Sequence, residues 1–199
     1  MSTLLFLRDV ARNPARMGSV VPSSARLAQA MADCADIQPG HVVVELGAGT
    51  GAFTRELVER HPRNRLVVFE VSATLAGPLE RSFPTVTVVA RPAEALPEVM
   101  AELGLGRIDR VVSGLPWALW GAAQQARILD GLVPYLAPSA RLVTFHYLHS
   151  RALGRVRTTR GLLVERFHDV SFSAPVWRNL PPALVHVAAR PRAGTAGGT

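Results

Sequence analysis

The sequence VVVELGAGTG at residues 42–51 decides the fold of this chain. Its three valines are β-branched and predict a buried strand. The three glycines that follow, Gly47, Gly49 and Gly51, stand before the helix-like sequence AFTRELVER. Glycines at a strand-to-helix turn allow a ligand to approach the backbone closely, because no Cβ atom intervenes. The pattern predicts a ligand-binding turn, with a purely structural turn as the simpler alternative.

Two acidic residues flank this turn and indicate which kind of ligand it holds. Glu45 precedes the first glycine by two positions, and Glu70 ends the next apolar strand. A carboxylate at the end of that second strand can accept both hydroxyls of a ribose. Two carboxylates also suit a cationic ligand and would repel the pyrophosphate of a dinucleotide. The unit is therefore predicted to form a nucleotide-cofactor pocket.

Strand and helix patterns alternate along the chain, which predicts a parallel sheet covered by helices on both faces. The predicted strands lie at 41–46, 66–70, 85–90, 107–113 and 140–147. The predicted helices lie at 25–35, 52–60, 73–81, 93–103 and 122–135. A serine at position 23 or 24 is expected to cap the first of these helices. Two further strands are predicted at 162–170 and 183–190.

The composition predicts one domain over residues 1–190, followed by a disordered tail over 191–199. Hydrophobic residues make up 48% of the 199 residues, which is enough for a sizeable core. Cys34 is the single cysteine, so no intrachain disulfide can form and a reducing, cytoplasmic setting is expected. No apolar run approaches the 18 residues that a transmembrane helix needs.

The charge balance points to an anionic partner. The chain has 22 basic and 15 acidic residues, a formal net charge of +7, and every basic residue is an arginine. Arginine favours bidentate contacts with phosphate, although a GC-rich genome would also produce this usage. Nucleic acid and an anionic membrane surface both fit this charge. Residues 4–16, within a helical N-terminal segment at 1–35, combine apolar and arginine residues. They are predicted either to pack on the sheet as a helix or to lie at a membrane interface.

The motifs resemble those of a known enzyme class. The E-x-G-x-G-x-G pattern with an acid closing the next strand resembles the class I S-adenosylmethionine-dependent methyltransferases. The fourth strand ends in the sequence SGLP at residues 113–116, which resembles the bacterial phospholipid N-methyltransferases and departs from the Asn-Leu-Pro-Tyr form of rRNA adenine dimethyltransferases. The segments FLRDVARNPARMGSVVPSS and VWRNLPPA also resemble the phospholipid enzymes, so the likeness covers residues 6 to about 190.

This resemblance implies a fold, a cofactor and a reaction. The fold is a Rossmann-like, mostly parallel seven-stranded sheet with helices on both faces and an antiparallel C-terminal strand pair. The cofactor is S-adenosylmethionine, and the reaction converts phosphatidylethanolamine stepwise towards phosphatidylcholine. The residues implied to bind the cofactor lie at the ends of the first, second and fourth predicted strands. They are Glu45, Gly47, Ala48, Gly49, Gly51, Glu70, Val71 and Ser113.

The catalytic residues are expected at the ends of the fourth and fifth strands. Ser113 and Pro116 would shape the slot for the amine. Trp117 would face the amine, since aromatic rings attract methylated ammonium ions, with packing at the sheet-to-helix junction as the alternative. Tyr147 would accept or orient the amine proton, with His146 and His149 as alternatives. A lipid phosphate would be bound by Arg178. No metal site is expected, because the two histidines lack further ligands.

Some assignments stay open at this stage. The position that usually contacts adenine is Pro92, and either Glu94 or a backbone carbonyl would have to replace it. The expected protein is a monomer, bound peripherally to the inner face of the cell membrane, with a phospholipid and no nucleic acid as partner. Alternative functions are an rRNA adenine N6-methyltransferase, a small-molecule amine N-methyltransferase and a catalytically silent binding module.

Overall fold

Seven strands form one sheet in the part of the chain that the structure, a computed structural model, describes: residues 24–148 and 154–192. The sheet order is β3-β2-β1-β4-β5-β7-β6. The strands are β1 (Val42–Leu46), β2 (Arg65–Phe69), β3 (Thr87–Val89), β4 (Ile108–Ser113), β5 (Leu136–Tyr147), β6 (Phe167–Phe172) and β7 (Ala183–Pro191). The first five pair in parallel, and β7 runs antiparallel between β5 and β6. The predicted Rossmann-like sheet, mostly parallel with an antiparallel C-terminal strand pair, is confirmed.

Helices cover both faces of this sheet. They are α1 (Ala25–Ala35), α2 (Ala52–Arg60), α3 (Ala73–Ser82), α4 (Leu96–Glu102), α5 (Ala122–Leu132) and α6 (Gly154–Arg166). Alternate residues of each buried strand point to opposite faces, so two apolar cores form. Val44 and Val111 belong to the core beneath α4, α5 and α6, whereas Val43 and Val112 belong to the core beneath α1 and α2.

The predicted strand at 162–170 is wrong over its first half. Residues 162–166 form the last turn and a half of α6, and β6 begins at Phe167. The apolar triplet Leu-Leu-Val at 162–164 suggested a strand, but burial follows helical spacing, with Val156, Thr159 and Leu163 buried. Three- and four-residue intervals place these side chains on one face of a helix.

The chain ends give a partial test of the sequence predictions. Ser24 caps α1 as expected, because its side chain accepts a hydrogen bond from the backbone N–H of Leu27 at 3.2 Å. β7 continues to Pro191, one residue beyond the predicted strand. The predicted interfacial segment at 4–16, His149 and residues 193–199 of the predicted tail lie outside the described residues. Among the residues described, none of the helices is both long and apolar enough to cross a bilayer.

Candidate active site

The glycine turn between β1 and α2 is a compact, hydrogen-bonded structure at the carboxyl edge of the sheet. The N–H groups of Gly47 and Ala48 both donate to the carbonyl of Phe69 at the end of β2, at 2.8 and 3.2 Å. Gly47, Gly49 and Gly51 have φ angles of 76°, 58° and 83°, which glycine adopts without strain. The turn is thus tied to the neighbouring strand.

Each glycine of this turn meets different surroundings. A Cβ at Gly47 would lie 2.8 Å from the side chain of Leu115, so the Leu115 side chain already fills the space beside Gly47. A Cβ at Gly49 would meet nothing within 4 Å, so Gly49 borders open space. Gly114 in the SGLP sequence must also be glycine, because its Cβ would lie 2.5 Å from the carbonyl oxygen of Gly47. Sequence reasoning did not single out Gly114, although its place in SGLP was the available signal.

Glu45 lies completely buried beneath the turn. Its Oε2 accepts a hydrogen bond from the Thr54 hydroxyl at 2.8 Å, while its Oε1 is buried without a hydrogen-bond partner among the described residues. Burial away from water, opposed in part by the bond from Thr54 and reinforced by the charge of Glu70, raises the pKa of Glu45 to about 8. Glu45 is therefore a buried acid that is largely neutral at pH 7, and its Oε1 becomes an acceptor for a ligand once the group ionises.

Glu70 closes over the turn from the end of β2. Its Oε2 accepts a hydrogen bond from the Gly49 N–H at 2.7 Å, and its Oε1 accepts one from the Ser72 N–H at 2.9 Å. The side chain is buried, and half-buried Val71 follows it at the same edge. The carboxylate thus holds the turn and the chain after β2 together, and its role at the ribose stays a prediction.

The end of β4 packs directly against the glycine turn. Gly114 N–H donates to the Leu46 carbonyl at 2.8 Å, and Pro116 begins the short 3₁₀ turn Trp117–Leu119. The Ser113 hydroxyl accepts a hydrogen bond from the Trp117 indole N–H at 3.0 Å. Ser113 is buried and organises this turn, while Pro116 remains half-buried at the edge.

Trp117 does not present an open ring at the site. Its side chain is only 4% exposed and makes an edge-on contact with Trp120 in the apolar core. Gln125, also buried, donates hydrogen bonds to the carbonyls of both tryptophans and fixes this arrangement. Hydrophobic burial and the bond to Ser113 draw the ring inward, and the role of Trp117 toward the substrate amine stays a prediction.

The end of β5 divides its candidate residues between the two faces of the sheet. Tyr147 makes an edge-on contact with Phe145, which in turn contacts Phe53 of α2. Partial burial raises the pKa of the Tyr147 phenol. His146 lies on the opposite face, with His186 of β7 against it and Thr159 of α6 beside a cavity of about 10 Å³. Tyr147 and His146 therefore cannot be alternatives for one role.

His186 is a buried partner that the sequence analysis missed. Its Nε2 contacts Nδ1 of His146, and its ring packs against Phe172. Burial, reinforced by repulsion from His146, lowers the pKa of His186 to about 3, so this histidine is neutral at physiological pH. Only the antiparallel register of β5 and β7 brings the two histidines together.

The remaining predicted residues lie farther along the same edge. Arg178 is exposed in the connection between β6 and β7. Pro92 precedes the 3₁₀ turn Ala93–Ala95, and the carboxylate of Glu94 accepts a hydrogen bond from Gln124 of α5. No group of three or more potential metal ligands occurs in the described part of the chain.

Comparison with known proteins gives this site its chemical context. The chain is 30% identical over 187 residues to the ornithine lipid N-methyltransferase of Singulisphaera acidiphila, and this match covers 90% of the chain and 91% of the relative. The chain belongs to the same methyltransferase family as this relative. The family described as ribosomal RNA adenine dimethylase matches residues 16–92. The ribosomal RNA small subunit methyltransferase A of Leptothrix cholodnii is 38% identical, over 41% of this chain and 29% of that protein.

Solved structures support the fold of this methyltransferase. The magnesium protoporphyrin IX methyltransferase of Synechocystis PCC 6803, solved with bound S-adenosylmethionine, superposes with a TM-score of 0.67 at 13% identity and covers 96% of this chain and 98% of its own. The precorrin-6y C5,15-methyltransferase of Geobacter metallireducens superposes with a TM-score of 0.62 at 18% identity, covering 82% and 87%. Fold and family together make S-adenosylmethionine the cofactor of this chain.

The residues at the glycine turn fit this cofactor. The unpartnered Oε1 of Glu45 offers a buried acceptor to a cationic ligand, and Gly49 leaves open space above the turn. Glu70 would hold the ribose hydroxyls, and Gly47 and Gly51 keep the backbone in the conformation that the turn requires. The cofactor supplies an electrophilic methyl group on a sulfonium. The chain's own task is to bind and orient the nucleophile and to exclude water.

Proposed function

We propose that this methyltransferase methylates the amine of a membrane-lipid headgroup, with phosphatidylethanolamine and its partly methylated derivatives as substrates. The observation that carries the proposal is the end-to-end match to a lipid N-methyltransferase, which covers 90% of the chain and 91% of that relative. The match to the RNA methyltransferase from Leptothrix cholodnii covers only 41% of the chain and 29% of that protein. A headgroup amine is the chemistry that phosphatidylethanolamine and ornithine lipids share.

In the proposed reaction the neutral amine attacks the cofactor methyl group in line with the departing sulfur. A carbon–nitrogen bond forms as the carbon–sulfur bond breaks, and the resulting ammonium then loses a proton to water. Because burial raises the pKa of Tyr147, its phenol stays protonated at neutral pH. Tyr147 would therefore orient the amine through a hydrogen bond, while the backbone between Ser113 and Pro116 shapes the slot. These roles are proposals for residues at the carboxyl edge of β4 and β5.

Tyr147→Phe tests this role, because it retains the ring contact with Phe145 and removes the hydroxyl. We expect a rate loss of about 10²-fold or more if the hydroxyl positions the amine. Phe145→Leu, which changes the packing without removing a polar group, serves as the control. An unchanged rate in Tyr147→Phe together with a slow Tyr147→Ala would assign the effect to the ring alone.

The substrate is tested by labelled methyl transfer in separate arms. Purified protein with labelled S-adenosylmethionine is offered vesicles of phosphatidylethanolamine, vesicles containing ornithine lipid, or small-subunit ribosomal RNA. The RNA arm is included because the rRNA adenine dimethylase family matches residues 16–92. Label in the phosphatidylethanolamine arm supports the proposal. Label in the ornithine lipid arm alone identifies ornithine lipid as the substrate in place of phosphatidylethanolamine, and label in RNA alone refutes the proposal. Lipid mass spectrometry of a host lacking phosphatidylcholine provides the cellular test.

We further propose that the enzyme binds the cytoplasmic membrane face peripherally and electrostatically, as its net charge of +7 suggests. Each arginine near an anionic surface contributes about 1 kcal/mol, and salt screens the attraction beyond about 8–10 Å. Sedimentation with vesicles should rise with anionic lipid and fall with added salt. Arg178→Gln should weaken binding to anionic vesicles, whereas equal binding to neutral vesicles at high salt would contradict the electrostatic account.

A further inference from the structure

The connection between β6 and β7, residues 173–182, leaves the sheet beside the candidate active site. Ala183 at the start of β7 pairs with Tyr147 at the end of β5, and the Pro182 carbonyl accepts a hydrogen bond from the Leu148 N–H at 2.8 Å. Because β7 runs antiparallel to β5, its beginning lies at the carboxyl edge of the parallel strands. This β6–β7 loop therefore lies on the edge that carries the glycine turn.

The loop exposes large apolar side chains. Trp177 is 70% exposed and Leu180 is 82% exposed, and these are the most exposed large hydrophobic residues in the described part of the chain. Phe172, at the end of β6, is 43% exposed. Arg178 lies between Trp177 and Leu180 and is also exposed. The surface thus combines an indole, a branched aliphatic group and a guanidinium within four consecutive residues.

A buried asparagine holds this loop in place. Asn179 is only 3% exposed, and its Oδ1 accepts hydrogen bonds from the Ser24 hydroxyl at 2.6 Å and the Ser24 N–H at 3.2 Å. Its Nδ2 donates to the Pro181 carbonyl at 2.7 Å. The Val176 N–H also donates to the Ala183 carbonyl at 2.7 Å. The backbone is therefore anchored to the N-cap of α1, and the neighbouring side chains are exposed from a defined loop.

We propose that the β6–β7 loop docks the enzyme on the lipid bilayer, with Trp177 and Leu180 entering the interfacial layer and Arg178 contacting lipid phosphate. This inference rests on the proposed lipid substrate and identifies the surface through which the substrate is reached. Tryptophan prefers the membrane interface, an exposed leucine gains from transfer into the acyl boundary, and arginine matches anionic phosphate.

A bilayer explains this surface better than RNA does. Arg178 and the net charge of +7 would suit either anionic partner. Leu180 is 82% exposed, and its aliphatic side chain gains free energy when it enters the acyl boundary of a bilayer. Contacts with the charged phosphates of RNA give an aliphatic side chain no comparable gain. Docking through this loop turns the carboxyl edge towards the membrane, so that a headgroup amine can reach the site while its acyl chains stay in the bilayer.

Vesicle binding and tryptophan fluorescence test the proposal directly. The probe is vesicles of phosphatidylethanolamine and phosphatidylglycerol, with and without brominated acyl chains. Trp117 and Trp120 are buried, so the part of the emission that Trp177→Phe removes reports Trp177. We expect that part to shift to the blue on vesicles and to be quenched by brominated lipid. Vesicles that bind the protein without quenching or shifting Trp177 emission would overturn the proposal.

The test variant combines Trp177→Ala with Leu180→Ala in one chain. The matched control is Val164→Ala, which removes an exposed apolar side chain from α6. The double variant should bind vesicles at least tenfold more weakly, with cofactor affinity and circular dichroism unchanged, and the control should bind like the wild type. Unchanged vesicle binding in the double variant, or a loss confined to RNA binding, would refute the docking role.

These outcomes are separable from those of the proposed function. Insertion of Trp177 without methyl transfer to any lipid would overturn the substrate proposal and leave the docking surface standing. Lipid methylation at wild-type rates by the double variant on vesicles would overturn the docking surface and leave the substrate proposal standing. Methylation of detergent-dispersed lipid by the double variant should remain at the wild-type rate, because its cofactor site is unchanged.

Discussion

Cofactor binding should release a proton from Glu45. This carboxyl group is buried with a pKa of about 8, so at pH 7 it is protonated in about nine molecules of ten before the cofactor binds. The sulfonium and ammonium of S-adenosylmethionine are positive and favour the ionised carboxylate in the bound state. Binding at pH 7 should therefore release up to about 0.9 proton from this group for each cofactor molecule.

Titration calorimetry measures this proton directly. The apparent binding enthalpy is recorded at pH 7 in buffers that differ in ionisation enthalpy, and the slope gives the number of protons exchanged. Glu45→Gln preserves the shape and the contact with Thr54 but cannot ionise, so the slope should change by up to about 0.9 relative to the wild type. Glu102→Gln, which removes an exposed carboxylate paired with Arg91, should leave the slope unchanged. Equal slopes in wild type and Glu45→Gln would refute the assignment.

The same carboxyl group makes a second, independent prediction about stability. Its pKa is higher in the folded chain than the ordinary 4.5, so folding favours the protonated form. The stability it contributes is complete below pH 4.5 and declines as the pH rises to about 8, by up to about 5 kcal/mol. Denaturant titrations of the cofactor-free protein should show this decline, and Glu45→Gln should flatten it. A wild-type stability that rises steadily across this range would contradict the pKa.

Three further predictions concern the turn and the sheet. Glu70→Gln replaces an acceptor of two backbone N–H groups, so cofactor affinity should fall by about 1.5–3 kcal/mol in calorimetry; wild-type affinity would refute its role. Gly114→Ala places a Cβ 2.5 Å from the Gly47 carbonyl and should cost about 1–3 kcal/mol in denaturant unfolding, whereas Gly106→Ala, with nothing within 4 Å, should not. His186, with a pKa of about 3, favours folding above pH 6.5 and loses that contribution as the pH falls towards 3. His186→Gln should therefore shift acid unfolding to lower pH, and an unchanged midpoint would contradict the assignment.

Much of the fold follows from local sequence patterns. The glycine turn was predictable because β-branched runs, glycines and helix formers act over a few residues, and the structure confirms β1, the turn and α2 in that order. The segment at 162–166 was predicted wrongly because a short apolar run is compatible with either a strand or a helix. Packing into the core selects the helix, because Thr159 and Leu163 are buried at helical spacing.

The sequence by itself determined the order of elements from α1 to β5, the glycine turn and the two acids beside it, because each depends on neighbours along the chain. Tertiary structure decided which residues meet across the sheet. It buried Trp117 against Trp120, joined His146 to His186 and anchored Asn179 to Ser24, a residue 155 positions earlier. These contacts arise from strand register and from core packing between distant segments, and local periodicity carries no information about either.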